Sequence, residues 1–213
     1  MMLFHLIKKD VLIVKKYVLI LFAAAVLIPP FMLWRAPEYA GVLGFMFSAV
    51  FCVFMLLQYV SLKEYQFPKA AALLCALPFS REMMVLSKYI FCIAAYAVCC
   101  VIYAVETFII PGLGIADAML FFIMFLMVSV FIGIYLPVQY KLGYEKTKFA
   151  FMVVIMAFPF ILPYLLKMGD VNLQFLSTIS RPLFYGGILF VSCVILTVSV
   201  ILSMKFYKET DLA

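Results

Sequence analysis

Six long apolar runs divide the chain, and short polar stretches separate them. The runs cover residues 17–34, 39–62, 89–110, 118–140, 149–166 and 182–204. A helix that crosses the hydrocarbon core of a bilayer needs about 20 mostly apolar residues, and each run is long enough. An isolated strand in lipid would leave its backbone groups without partners. We therefore predict a single all-α integral membrane domain over residues 1–213, with six transmembrane helices.

The composition indicates that the bilayer is the solvent of this protein. Hydrophobic residues make up 69% of the chain and charged residues 12%, whereas an ordinary soluble domain carries about 25% charged residues. The formal net charge is +6, but the basic residues stand in small groups between the apolar runs. We interpret these groups as topology signals and contacts to lipid headgroups, and we expect no nucleic acid partner.

The lysines and arginines concentrate on alternate connections between the runs. Thirteen of the 16 basic residues lie at the termini or in the connections 63–88 and 141–148. They are Lys8, Lys9, Lys15, Lys16, Lys63, Lys69, Arg81, Lys88, Lys141, Lys146, Lys148, Lys205 and Lys208. The opposite connections contain only Arg35, Lys167 and Arg181. Because connections rich in Lys and Arg stay in the cytoplasm, we predict that both termini are cytoplasmic. We expect a multi-pass protein of the cell membrane, specifically a bacterial plasma membrane.

The N-terminal segment, residues 1–16, has an amphipathic helical pattern. One face carries apolar residues and the adjoining face carries lysines: Phe4, Ile7, Val11 and Val14, then Lys8, Lys9, Lys15 and Lys16. Such a pattern is typical of a helix that lies in the membrane interface. The alternative, in which the lysines act only as a topology signal, leaves the apolar stripe unexplained. We predict an interfacial helix before the first span.

Few side chains could carry catalytic chemistry. The single histidine is His5, so a histidine-based triad or a His-rich metal site is not available. No phosphate-binding GxxxxGKS/T loop occurs in the sequence. We therefore expect no catalytic residue, no metal site and no directly bound cofactor, which makes an intramembrane enzyme a poor interpretation. An ATP-driven process would need an ATPase on a separate polypeptide.

Glu106 is the acidic residue that lies inside an apolar run, shortly before Pro111. An ionisable group at membrane depth is a functional candidate by default. One interpretation is a structural carboxyl near the outer surface, which reaches the water of the headgroup region. The other places Glu106 on a substrate path, where it could couple transport to protons in a secondary transporter. Both interpretations stay open at this point.

The connection after the second run is longer than a simple turn requires. Its stretch "LLCALPFSREMMVLSKY" begins at residue 73. Ser80 is suited to cap a helix, and Glu82 would lie in the first turn, where the helix dipole favours an anion. Pro78 ends a preceding short apolar helix. We predict two short helices at the inner surface, with a docking function or a position on lipid headgroups as the alternatives.

Two segments of the chain resemble a known family. "LLCALPFSREMMVLSKYIF", residues 73–91, is similar to the cytoplasmic segment between the second and third spans of small ABC-2-type permeases. "LPVQYKLGYEKTKFAFMVV", residues 136–154, resembles the connection between the fourth and fifth spans of that family. With six predicted spans and both termini on one side, the resemblance covers nearly the whole chain.

The resemblance implies the membrane subunit of an ATP-binding-cassette exporter. Two such subunits would pair, here as a homodimer, and each would dock on a cytoplasmic ABC ATPase, which binds the ATP and Mg²⁺. A cytoplasmic coupling helix between spans 2 and 3 would form the contact. The positions that match the docking elements are Leu77, Pro78, Phe79, Ser80, Arg81 and Glu82, followed by Lys141, Gly143, Glu145 and Lys146.

The same resemblance suggests a class of cargo. Among small members of the family, the chain is similar to permeases that export phenol-soluble modulins or give self-protection against peptide antibiotics. The resemblance therefore implies outward transport of amphipathic or hydrophobic peptides, or of lipid-like compounds. Abundant Phe and Met side chains would suit such a cargo, because they form adaptable apolar walls.

Overall fold

A computed structural model describes residues 2–35, 37, 40–67, 81–113, 117–153 and 181–210. The regular structure in these ranges is helical. The elements are α1 (Met2–Ile13), α2 (Lys15–Arg35), α3 (Ala40–Gln66), α4 (Arg81–Ile109), a 3₁₀ turn (Pro111–Leu113), α5 (Ala118–Leu142) and α6 (Arg181–Thr210). Residues 144–153 are also helical. The all-α fold class is therefore confirmed for the described part of the chain.

Five helices within the described residues are long and apolar enough to cross a membrane. They are α2, α3, α4, α5 and α6, with 21 to 28 residues in each apolar stretch. These helices coincide with the predicted runs 17–34, 39–62, 89–110, 118–140 and 182–204. The remaining predicted run, 149–166, is helical up to residue 153, and its other residues lie outside the described ranges. The total of six spans stays a prediction.

The third spanning helix begins earlier than the sequence pattern predicted. Helix α4 runs without interruption from Arg81 to Ile109, with Glu82 in its first turn. A separate short helix over residues 81–88 is therefore wrong, because these residues form the first two turns of α4. Neither Pro nor Gly interrupts this stretch, and Val85 and Tyr89 are buried against neighbouring helices. The preceding predicted helix, which ends before Pro78, lies outside the described residues.

Helix α3 lies at the centre of the bundle. Within its apolar stretch 61% of the residues are buried, against 17% for α2 and 22% for α6. Helix α2 packs along α3, and α6 packs along α5. Tyr89 of α4 shares a hydrogen bond with Ser199 of α6, whose hydroxyl donates to the Gly133 carbonyl oxygen of α5 at 2.8 Å. Such interhelical hydrogen bonds help hold helices together in an apolar solvent.

The start of α3 makes a close backbone contact with the 3₁₀ turn. A Cβ atom on Gly41 would lie 2.5 Å from the Leu113 carbonyl oxygen, so only glycine fits there without a shift. The Tyr103 hydroxyl donates to the Gly41 carbonyl oxygen at 3.0 Å and joins α4 to the same point. These contacts close the end of the bundle at which Glu106 lies.

The N-terminal helix α1 packs one face against the rest of the bundle. Leu6, Asp10 and Val14 are buried, whereas Val11 is 41% and Leu12 57% exposed. The buried face packs mainly against α4. Of the predicted apolar stripe, Val14 is buried and Val11 is exposed, and the position of this helix in the membrane interface stays a prediction. An acidic residue is accepted in the buried face because a charged partner lies beside it, as described below.

Candidate functional site

The lysine-rich ends of the helices meet at one end of the bundle, which we call the basic end. Lys88 of α4 forms an ion pair with Glu64 of α3, with 2.5 Å between Nζ and Oε2. Lys208 of α6 pairs with Glu82 of α4 at 2.8 Å. The Tyr140 and Tyr207 rings of α5 and α6 contact each other with 5.3 Å between their centroids. The structure thus brings together the charges that the sequence pattern grouped on one side.

Four charged residues at the basic end join α1, α3 and α4. We call Lys9, Asp10, Glu64 and Lys88 the charge cluster. Lys9 Nζ lies 3.1 Å from Asp10 Oδ1 and 3.6 Å from Glu64 Oε1, so Lys9 connects α1 to the end of α3. Lys88 is only 7% exposed, and its Nζ also lies 5.3 Å from the centroid of the Tyr140 ring.

Asp10 occupies an unusual position for a carboxyl group. It is 1% exposed, and burial raises the pKa of the Asp10 carboxyl, while the adjacent Lys9 ammonium opposes that shift. A carboxylate removed from water needs a compensating charge. Asp10 therefore ties the buried face of α1 to the charge cluster.

Buried polar side chains continue from the charge cluster into the bundle between α3 and α5. Gln58 Nε2 donates to the Tyr135 hydroxyl at 2.8 Å, and Gln139 Nε2 donates to the Ser61 hydroxyl at 2.6 Å. Both pairs are buried. These hydrogen bonds fix the register of α3 against α5 near the basic end.

The second predicted docking loop is held by the ends of two other helices. The Tyr65 hydroxyl, at the end of α3, donates to Glu145 Oε1 at 3.0 Å. Lys141 Nζ lies 5.2 Å from the centroid of the Phe206 ring of α6. Gly143 links α5 to the following helical residues with φ of +81°, a value that favours glycine. Lys146 is exposed.

The first predicted docking element is described only at its end. Leu77, Pro78, Phe79 and Ser80 lie outside the described residues, and Arg81 is described by its backbone alone. Glu82 is exposed and pairs with Lys208, a partner that sequence reasoning missed. A link between residues 126 positions apart cannot be read from a local pattern.

Glu106 is buried at the opposite end of the bundle. It is 6% exposed, and among the described residues neither of its carboxylate oxygens has a hydrogen-bond partner. The Tyr103 hydroxyl, one turn earlier, is already used by Gly41. The side chain is therefore largely shielded in the described structure, and the choice between a structural carboxyl near the headgroup region and a residue on a substrate path stays open.

An apolar groove opens on the surface between α4, α5 and α6. Its volume is about 420 Å³, and its lining includes Tyr96, Cys100 and Ala104 of α4, Phe121 and Phe125 of α5, and Leu189 of α6. The Tyr96 hydroxyl donates to the Phe121 carbonyl oxygen at 2.7 Å, so its polar atom is satisfied. The groove presents hydrocarbon and aromatic surface to whatever enters it.

Comparison with known proteins identifies the family of the chain. A family model described as "ABC-2 family transporter protein" matches residues 5–208. No curated protein and no solved structure matches the chain. The family supplies membrane components of ABC transporters and implies an ABC ATPase as partner. Together with five apolar helices of spanning length among the described residues, the match covers nearly the whole chain, which therefore belongs to the ABC-2 family of multi-pass transporter membrane proteins.

Proposed function

We propose that this chain is the permease subunit of an ABC exporter for amphipathic or hydrophobic peptides, or for lipid-like compounds. The family match supports the permease assignment. The apolar groove between α4, α5 and α6 is the observation that supports the cargo class. Energy would come from ATP and Mg²⁺ bound by a separate ATPase subunit.

The groove has the properties that such a cargo needs. Its volume of about 420 Å³ is within the range of about 300–1,000 Å³ that small-ligand sites span. None of its described lining residues is charged, so the described lining has no group to pair with the phosphate of a sugar phosphate or a nucleotide. An amphipathic helix already partitions into the bilayer surface, and it could enter an apolar groove with its hydrophobic face.

The arrangement of subunits follows from the family resemblance. A homodimer of permeases would bind two cytoplasmic ATPases through residues 77–82 and through the loop that contains Lys141, Gly143, Glu145 and Lys146. The basic end would then face the cytoplasm of a bacterial cell, in agreement with the distribution of lysines. ATP-driven closure of the ATPases would switch the permease pair between inward and outward access.

A transport assay with a blocked groove tests this proposal. The permease and its ATPase are reconstituted in vesicles, and ATP-dependent transport of a fluorescent amphipathic peptide is compared with that of its scrambled sequence. Ala104→Trp fills the groove and should abolish peptide transport. Val105→Trp is the matched control, because Val105 is 51% exposed and does not line the groove. Equal transport by both variants, or of both peptides, would contradict the cargo class.

Glu106 favours a second candidate function. A buried carboxyl without a described partner is the kind of group that secondary transporters use for proton coupling. In that case the chain alone would transport its substrate in a proton gradient, and Glu106→Gln would abolish this transport. Transport that needs the ATPase and survives Glu106→Gln would exclude the second candidate.

A further inference from the structure

The last turn of α3 connects three separate parts of the molecule. Glu64 contacts Lys88 at the start of α4 and Lys9 in α1. The next residue, Tyr65, donates a hydrogen bond to Glu145 in the second predicted docking loop. Shortly after Gln66, where α3 ends, the chain enters the connection that contains the first predicted docking element. Both predicted docking segments and the N-terminal helix are thus attached to one helical turn.

Glu64 is the residue that holds this arrangement together. Lys88 is buried, and a buried ammonium group requires a nearby anion. Glu64 supplies that anion and uses its second oxygen for Lys9. Because one carboxylate pairs with lysines of two different helices, the end of α3 cannot shift alone without breaking an ion pair. Helices α1, α3 and α4 are therefore constrained to move together at the basic end.

We infer that Glu64 is a positioning residue for energy coupling, which makes the ends of α1, α3 and α4 move as one body when the docking segments move. This inference rests on the proposed function, because it assumes that an ATPase pushes on these segments. Glu64 binds neither cargo nor ATP. Its role is to transmit displacement of the α3 end to the spans. Without Glu64, ATP hydrolysis proceeds but less cargo is transported per ATP.

The exposed ion pair at the same end supplies a matched control. Lys208 and Glu82 are separated by 2.8 Å, and their side chains are 57% and 55% exposed. Exposed pairs contribute little because water and salt screen them. Lys208→Gln therefore breaks an ion pair at the same end of the bundle, at a residue outside the charge cluster and outside both predicted docking segments.

The experiment compares transport per ATP hydrolysed in the permease–ATPase complex reconstituted in vesicles, with the same fluorescent peptide as cargo. In Glu64→Gln the amide oxygen still accepts a hydrogen bond from Lys88, but the negative charge is lost. We expect normal assembly with the ATPase, near-normal ATP hydrolysis and transport per ATP lowered about tenfold, a typical size for coupling between sites. The double variant Glu64→Lys with Lys88→Glu restores the ion pair and should recover part of the loss. Lys208→Gln should retain the wild-type ratio.

Lys9→Gln keeps the inference testable if Glu64→Gln fails to assemble. It removes the ion pairs of Lys9 with Glu64 and Asp10 but leaves Glu64 paired with Lys88, so it should lower transport per ATP by a smaller factor. A wild-type ratio in whichever of these variants assemble would overturn the inference. An equal loss in Lys208→Gln would overturn it as well. If wild-type complex shows no ATP-driven transport, the proposed function fails instead, so the two failures are distinguishable.

Discussion

The two ends of the helical bundle differ in whether their acidic residues have a charged partner. At the basic end, Asp10 and Glu64 each lie within 3.1 Å of a lysine. At the other end, Glu106 is 6% exposed, yet none of the described residues pairs with it. A paired carboxylate stabilises the arrangement of helices around it. An unpaired one does not, so the carboxylates at the two ends should contribute differently to stability.

The largest loss of stability is expected from removing Glu64, the carboxylate of the charge cluster that pairs with Lys88. Glu64→Ala leaves the buried Lys88 ammonium without its partner, which costs about 3–5 kcal/mol in comparable buried pairs. Thermal unfolding in detergent should show a strongly lowered midpoint. The double variant Glu64→Ala with Lys88→Met removes both charges and should recover much of the loss. If the single and double variants unfold at the same temperature, the ion pair does not stabilise the basic end.

A smaller loss of stability is expected from disturbing the close contact between Gly41 and Leu113 at the opposite end of the bundle. Gly41→Val forces a Cβ atom against the Leu113 carbonyl oxygen, and overpacking of this kind costs about 1–3 kcal/mol. Gly186→Val is the matched control, because a Cβ at Gly186 meets nothing within 4 Å. Unfolding midpoints of the two variants give the comparison. A larger loss for Gly186→Val would contradict the packing described at Gly41.

Glu106→Gln should change stability by less than about 1 kcal/mol, because no described hydrogen bond depends on the carboxylate. The same substitution at Glu64 weakens two ion pairs and should destabilise the protein clearly. Unfolding of the two variants side by side tests the comparison between the ends directly. A marked loss at Glu106 would indicate that this residue has a structural partner, and the contrast between the ends would disappear.

The smallest loss of stability is expected from breaking the exposed ion pair between Glu82 and Lys208 at the basic end. Glu82→Gln breaks the contact with Lys208, but both side chains are more than half exposed, so water replaces the interaction. The unfolding midpoint should not change measurably at physiological salt. A clear decrease would show that position on the basic end, rather than burial, decides how much an ion pair stabilises the protein.

Sequence patterns predicted the spans well and the contacts between them poorly. The apolar runs coincide with five helices, because a bilayer demands long apolar stretches whatever the neighbours are. The burial of Asp10 in α1 was not predicted, because it depends on the packing of α1 against α4 and on the lysine beside it. The separate helix over 81–88 was wrong because a polar stretch can continue a helix that projects beyond the apolar core.

The contacts within the candidate site could likewise not be predicted from sequence patterns. Residues of the second predicted docking loop were selected by resemblance, but their contacts with Tyr65 and Phe206 could be found only from the fold. Glu64 and Lys88 are 24 positions apart, and no local periodicity relates them. Glu106 stood out as an acid in an apolar run, whereas its burial without a described partner depends on how α3, α4 and the 3₁₀ turn pack.

Purification of the chain from the cell that encodes it tests the central claim most directly, because an ABC permease must bring its ATPase with it. We predict that a cytoplasmic protein with a phosphate-binding loop co-purifies in a fixed ratio to the permease, and that Phe79→Ala combined with Arg81→Glu releases it. If no ATPase is bound and the double substitution changes neither binding nor transport, the account of this protein as an ATPase-driven permease is wrong.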